Sequence, residues 1–235
     1  MRSPADVLQE LEADRLDREA ELRLIDRFLA TAAVEAEQRM LRRSLILLAY
    51  AHLEGFCKFA LVAYVSVVNS YGVQFHAASV EVGAASLSDI FGALRDDQKK
   101  HDLFRHPLAN DAAVHRIARQ QTFVREYEGS IGAQIIRIPD KSVNTESNLS
   151  SIVLKRNLFA LGLPFSEVDE FATSIDALMH IRNAIAHGDR LQDPRPELLV
   201  RQLGAVSSVM TKVQTMVYEA LDQRTYLRAV PNEAA

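Results

Sequence analysis

The stretch from Leu45 to Val68 constrains the fold more than any other part of this 235-residue chain. It is mostly apolar and long enough to cross a bilayer, yet His52, Glu54 and Lys58 stand near its middle. An acidic or basic side chain at the centre of an inserted helix costs about 2.5–3.5 kcal/mol, so Glu54 and Lys58 argue against insertion. The segment reads as a buried central helix, and no membrane partner is expected.

The rest of the chain reads as helices and little else. Ser3, Pro4 and Asp6 form an N-cap, a first-turn proline and a first-turn acid, followed by a periodic pattern through Leu29. A second helix covers roughly 34–69. Ser86 or Ser88 caps a short helix ending near Asp97; residues 98–110 form a loop around Pro107; Asp111 caps a helix through Glu128. Residues Ser130 to Asp140 alternate around Ile131, Ile135, Ile136 and Ile138 and form the one credible strand, short and unpaired. Asn144 or Thr145 caps a helix to Leu161 that Gly162 and Pro164 end. Ser166 caps the next, and Pro196 starts a last helix running to about Leu227. The class is all-α, with at most one short strand. Without repeats or a Gly/Ser linker, the chain reads as a single domain over 1–235.

Composition narrows the chemistry. With 48% hydrophobic residues the chain can bury a proper core. The single cysteine, Cys57, falls in the most apolar helix, where a buried thiol is the natural reading. The N-terminus is acidic and amphipathic rather than basic and then apolar, so no secretory signal is read and a cytoplasmic location is expected. The net charge of -4 is unevenly spread: residues 1–37 hold ten acids against five arginines, which leaves 22 basic and 21 acidic residues elsewhere. Three local basic clusters could meet phosphate: Arg39, Arg42 and Arg43; Lys99, Lys100 and Arg105; Arg116, Arg119 and Arg125. Each could equally be a solvated helix face.

A second pattern lies at His180-Ile181-Arg182-Asn183-Ala184-Ile185-Ala186-His187-Gly188. Gly188 suits the left-handed residue that stops a helix, which leaves His187 on an exposed last turn. On a helical wheel Asp176, His180, Asn183 and His187 fall within about 60° of one another and form a polar stripe. Arg182 lies instead with Phe171, Ile175, Leu178 and Ile185, on the face that should meet the core. An arginine there is costly unless a carboxylate, a phosphate or a partner chain meets it, or its head reaches water past a packed stem. No metal-ligand motif occurs, and Asp176 with His180 is a lone two-residue pair.

The central helix carries a matching set. Arg43, Tyr50, Glu54 and Lys58 drift by about 80° in all and share one stripe. Two readings of Glu54 stand: an intrahelical pair with Lys58, or a contact with Arg182 that fixes the guanidinium for work on a phosphate.

Together these patterns resemble the HEPN superfamily, whose ribonuclease members carry an arginine and a histidine four to six residues apart at a helix end, often with Asn after the arginine. Here that is Arg182, Asn183 and His187. The spacing alone carries little, since Arg95 and His101 meet it as well. The run RRSLILLAYAHLEGFCKFA, residues 42–60, looks like the acidic-residue helix of the MAE_28990/MAE_18760-like HEPN nucleases, and VNTESNLSSIVLKRNLFALGL, residues 143–163, resembles their middle block. The resemblance implies a HEPN-type antiparallel helical bundle with additional helices, its core at about 15–190 and a C-terminal helix at about 196–227 packed on it. It further implies a metal-independent, cofactor-free RNA endonuclease, commonly a toxin or phage-defence effector, that gives 2′,3′-cyclic phosphate and 5′-OH ends. Arg182, His187, Asn183 and Glu54 would be catalytic, and Lys58, Arg43, Tyr50 and His180 would meet substrate. RNA, a second copy of the chain in a homodimer with a composite site, and an antitoxin or regulatory protein are the implied partners. The alternative is a catalytically inactive HEPN module that binds RNA or a protein.

Overall fold

The computed structural model describes residues 2–96, 98–131, 134–189 and 193–229. Among them are eight α-helices, four short 3-10 segments and isolated β-bridges in place of any sheet. The fold is all-α.

Helix α1, Pro4–Thr31, opens with the expected cap: the Ser3 hydroxyl accepts from the Asp6 amide while the Asp6 carboxylate accepts from the Ser3 amide. Helix α2, Glu35–Ser70, is the central apolar helix. It is long and apolar enough to cross a membrane by length and composition, but Leu45, Ile46, Tyr50, Leu53, Phe56 and Leu61 are all buried within the protein. Two short helices follow, α3 at Val80–Ser86 and α4 at Ser88–Arg95, where one was expected. Ser79 caps α3, and the Ser86 hydroxyl donates back to the Gly83 carbonyl, so Ser86 ends a helix rather than starting one. The expected end at Asp97 lies outside the described residues. Asp111 does cap α5, Ala112–Ile131, by accepting from the amides of Ala113 and Val114.

The expected strand is absent among the described residues. Helix α5 extends to Ile131, and from Gln134 the chain is extended but meets only a loop and a side chain: a lone bridge joins Gln74 to Ile135, and the Asn69 amide bonds both the N–H and the carbonyl of Ile138. Alternation survives in burial alone, with Ile136 and Ile138 inside and Ile135 exposed. Helix α6, Ser151–Ala160, starts later than expected. Glu146 and Ser147 both hold positive φ, which breaks helical continuation after Asn144 and Thr145; Ser150 supplies the cap through the Val153 amide. Ser166 falls in a 3-10 stretch, Phe165–Phe171, instead of capping α7, Ala172–Ala186. Helix α8 starts at Pro196 and stops at Asp222, just before Arg224 turns to positive φ.

The chain divides into two compact units, Met1–Tyr64 with Val143–Phe159 and Leu163–Arg224, and Val65–Ser142 with Ala160–Gly162 and Thr225–Ala235. In the first, α8 packs along α1 and against α7. Arg15 donates to Gln214 at 2.8 Å, and the Ser207 hydroxyl donates to Glu19 at 2.7 Å. The acids of α1 are thus partly engaged within the chain: Asp14 pairs with Arg18, and Glu21 lies 3.1 Å from His52. Cys57 is fully buried, and burial pushes its thiol up to about 12, so it stays protonated.

Candidate active site at the end of helix α7

The α7 terminus is a Schellman motif. Gly188 has φ +86°, its amide donates to the Ile185 carbonyl at 3.1 Å, and the Asp189 amide donates to Ala184 at 3.0 Å. These bonds satisfy carbonyls that a helix end leaves open, and His187 becomes the exposed C-cap residue, as the sequence suggested.

Two adjacent arginines of α2 fasten the chain just beyond this helix end. Arg43 donates to the Asp189 carbonyl at 2.8 Å. Buried Arg42 grips both carboxylate oxygens of Asp193 at about 3.0 Å and also Glu35 at 2.8 Å. The Glu35 bond raises the Arg42 pKa against the opposing effect of burial, and Asp193 adds to it. Arg42 is therefore spent on structure, and the expected Arg39–Arg42–Arg43 phosphate cluster is reduced accordingly.

The helical wheel places Arg182 on the correct face but does not reveal its partner. Ile175, Leu178 and Ile185 are buried, and Arg182 is half-buried among them. No Glu54–Arg182 ion pair within 4 Å occurs among the described residues, nor a Glu54–Lys58 pair. Tyr50 takes the place of the carboxylate: the Arg182 guanidinium carbon lies 4.4 Å from the centroid of the buried Tyr50 ring. The long phenol reaches across the helix interface, whereas the shorter Glu54 side chain acts on the Tyr50 hydroxyl one turn away. Burial first, then the Glu54 charge, push that hydroxyl up to about 12, against the pull of Arg182. Tyr50 is neutral and a donor at any ordinary pH.

Asparagines close the arrangement. Arg182 donates to Asn183 Oδ1 at 2.7 Å, Asn183 Nδ2 donates to Asn148 Oδ1 at 3.3 Å, and the Tyr50 hydroxyl reaches the same Asn148 oxygen at 3.4 Å. Ring, guanidinium and two amides thus form a loop that holds Arg182 from two sides. Asn148 is not identifiable from the sequence, because nothing local distinguishes it from other loop asparagines; only the adjoining left-handed pair sets it opposite Tyr50.

The polar stripe is split. Asp176 is consumed as a cap for α6, both of its oxygens taken at 2.8 Å by the Ser151 amide and hydroxyl. It has no role with His180, which is exposed. Lys58 is exposed as well, on the α2 stripe one turn beyond Glu54. Among the described residues no three His, Cys, Asp or Glu side chains gather around a common point.

An all-helical chain that presents an arginine, an asparagine and a histidine at a glycine-stopped helix end, backed by a buried central helix, has the design of a HEPN protein. Residues 13–218 match the family model described as RiboL-PSP-HEPN, and the chain belongs to that family. The superfamily is the one the sequence blocks resemble. No curated protein and no solved structure matches the chain.

Proposed function

We propose that this protein is a metal-independent endoribonuclease of the toxin or phage-defence kind. The observation that carries the reading is the guanidinium of Arg182, held between the Tyr50 ring and Asn183, at the helix end that also exposes His187. HEPN domains are often ribonucleases, which supports an enzyme in broad terms.

RNA carries its own nucleophile, so the protein has only to move protons and stabilise charge. In the reaction the 2′-oxygen bonds to phosphorus as its proton passes to a base, and the bond from phosphorus to the 5′-oxygen breaks as an acid protonates the leaving oxygen. The products are a 2′,3′-cyclic phosphate and a 5′-OH. His187 supplies acid or base, since an imidazole can both take and give a proton. Arg182 stabilises the phosphorane oxygens, bidentately through the edge not bonded to Asn183. Asn183 and Tyr50 position Arg182, and Glu54 orients the Tyr50 hydroxyl. Exposed Lys58 and His180, with half-buried Arg43, meet the RNA backbone.

His187 by itself suits one of the two proton transfers. A homodimer that brings two α7 ends together supplies the second, and exposed Met40 and Leu47 on α2 offer apolar surface in a groove that Arg43 and Ile185 also line. The test is incubation with total RNA in EDTA. Cleavage that survives the chelator, leaves cyclic-phosphate ends and vanishes in His187→Ala supports the assignment; equal cleavage by the variant overturns it, and RNA binding without cleavage by the wild type assigns the inactive module instead.

A further inference from the structure

The second unit holds a separate cationic cavity. Two of the basic clusters seen in the sequence, Lys99–Lys100–Arg105 and the one that includes Arg119, converge there on a space of about 360 Å³. Its wall is formed by α4, the loop after it and α5, with Ile90 and Ala93 as the apolar side. The volume lies in the range of roughly 300–1,000 Å³ typical of small-molecule sites.

Arg119 is the decisive residue. It is 4% exposed, yet no acid lies within 4 Å of it among the described residues. Its Nη1 donates to the Lys99 carbonyl, while Nε and Nη2 are buried without a partner among the described residues. Those two N–H groups form the side-on edge of a guanidinium, the fork that meets two oxygens of one phosphate or carboxylate. A buried guanidinium is costly unless an anion meets its free edge, so the chemistry of this edge is that of an anion-binding group.

The surroundings agree. The two acids on the cavity wall are engaged elsewhere: Asp102 pairs with Arg105 at 2.9 Å, and Asp89 pairs with Lys141. Lys99 and Lys100 have no such partner within 4 Å among the described residues, and both are exposed. The loop that carries them is held in register with α5, because His101 Nε2 meets the Thr122 hydroxyl at 3.1 Å and the His101 amide donates to His115 Nδ1 at 2.9 Å. That last bond makes His115 Nδ1 an acceptor and ties the loop to α5 one turn from Arg119.

We propose that this cavity binds a compact phosphorylated small molecule carrying two or more negative charges, a phosphomonoester or a diphosphate. Three cations without an ion-pair partner among the described residues exceed what a single carboxylate would draw, and the cavity's volume suits a small ligand better than a nucleic-acid strand. The site uses none of the residues assigned to RNA cleavage. Its loss and the loss of that activity are therefore separable.

The test is calorimetric titration of the full chain with inorganic pyrophosphate at low salt, alongside 5′-phosphorylated and 5′-hydroxyl oligoribonucleotides. Pyrophosphate should bind the wild type and His187→Ala alike. Arg119→Gln should abolish binding, and Lys99→Ala/Lys100→Ala, at exposed positions that leave folding intact, should weaken it by about tenfold or more. Undiminished binding by the double lysine variant, or loss of binding in His187→Ala, overturns the assignment. So does binding of the phosphorylated RNA end without binding of pyrophosphate, which would give the site to RNA termini, and so does an absence of any anion binding by the wild type.

Discussion

Replacing Tyr50 tests whether an aromatic ring, and not a carboxylate, holds Arg182. The ring is 1% exposed and the guanidinium carbon sits 4.4 Å from its centroid, a partly desolvated cation–π contact worth about 1–2 kcal/mol. The hydroxyl contributes less. Its contacts to Asn148 and Leu149, at 3.4 and 3.5 Å, lie at the outer limit of hydrogen bonding and are worth under about 1 kcal/mol together. Tyr50→Phe should therefore cost under about 1 kcal/mol in urea denaturation and leave RNA cleavage within about twofold of wild type. Tyr50→Leu removes the ring, leaves a cavity and frees the guanidinium; a loss of about 2–4 kcal/mol and of about tenfold or more in cleavage rate is expected. The decisive measurement is a double-mutant cycle with Arg182→Met, which keeps the aliphatic stem. A coupling near 1 kcal/mol between positions 50 and 182 is expected, and one below about 0.3 kcal/mol would refute the reasoning, because independent sites add to within that margin.

Two other outcomes rest on backbone and charge geometry. Gly188→Ala places a Cβ at φ +86° with nothing within 4 Å of it, so the whole cost is backbone strain, about 1–2 kcal/mol in thermal melts; Gly188→Asn should recover part of it, and an Ala variant as stable as wild type would contradict the Schellman assignment. Burial alone would raise the Glu19 pKa, but the Ser207 hydroxyl, then Arg15 and Arg23, hold it below its ordinary 4.5. Its stabilisation is thus present above pH 4.5 and is lost as pH falls through the depressed folded value, so the melting-temperature gap between wild type and Glu19→Gln should close in acid; a gap unchanged between neutral pH and about pH 3 would count against it.

Much of the site is legible in the sequence because it depends on near neighbours along the chain. The glycine stop, the exposed His187, the burial of Ile175, Leu178 and Ile185 and the half-buried Arg182 all follow from helical periodicity and capping, which act over a turn or two. Tyr50 and Glu54 fall on one stripe as expected, and of the two it is Tyr50 that meets Arg182 on α7, where the sequence left Glu54 open between Lys58 and Arg182. That choice depends on interhelical distance and side-chain length, and periodicity carries neither. The strand expected near Ile135 fails for a related reason: alternation records which side chains are inside, but a strand also needs a partner strand, and among the described residues this segment meets a loop and the Asn69 amide instead.

By itself the sequence determined an all-helical protein, a buried central helix and a glycine-stopped helix end bearing arginine, asparagine and histidine, because each is a matter of local pattern and of what water will not tolerate. Tertiary structure alone decided what those groups touch. Asn148 with Tyr50, Arg42 with Asp193, Asp176 with Ser151, and Arg119 with the lysine loop are pairs far apart in the chain, and their meeting depends on how helices pack.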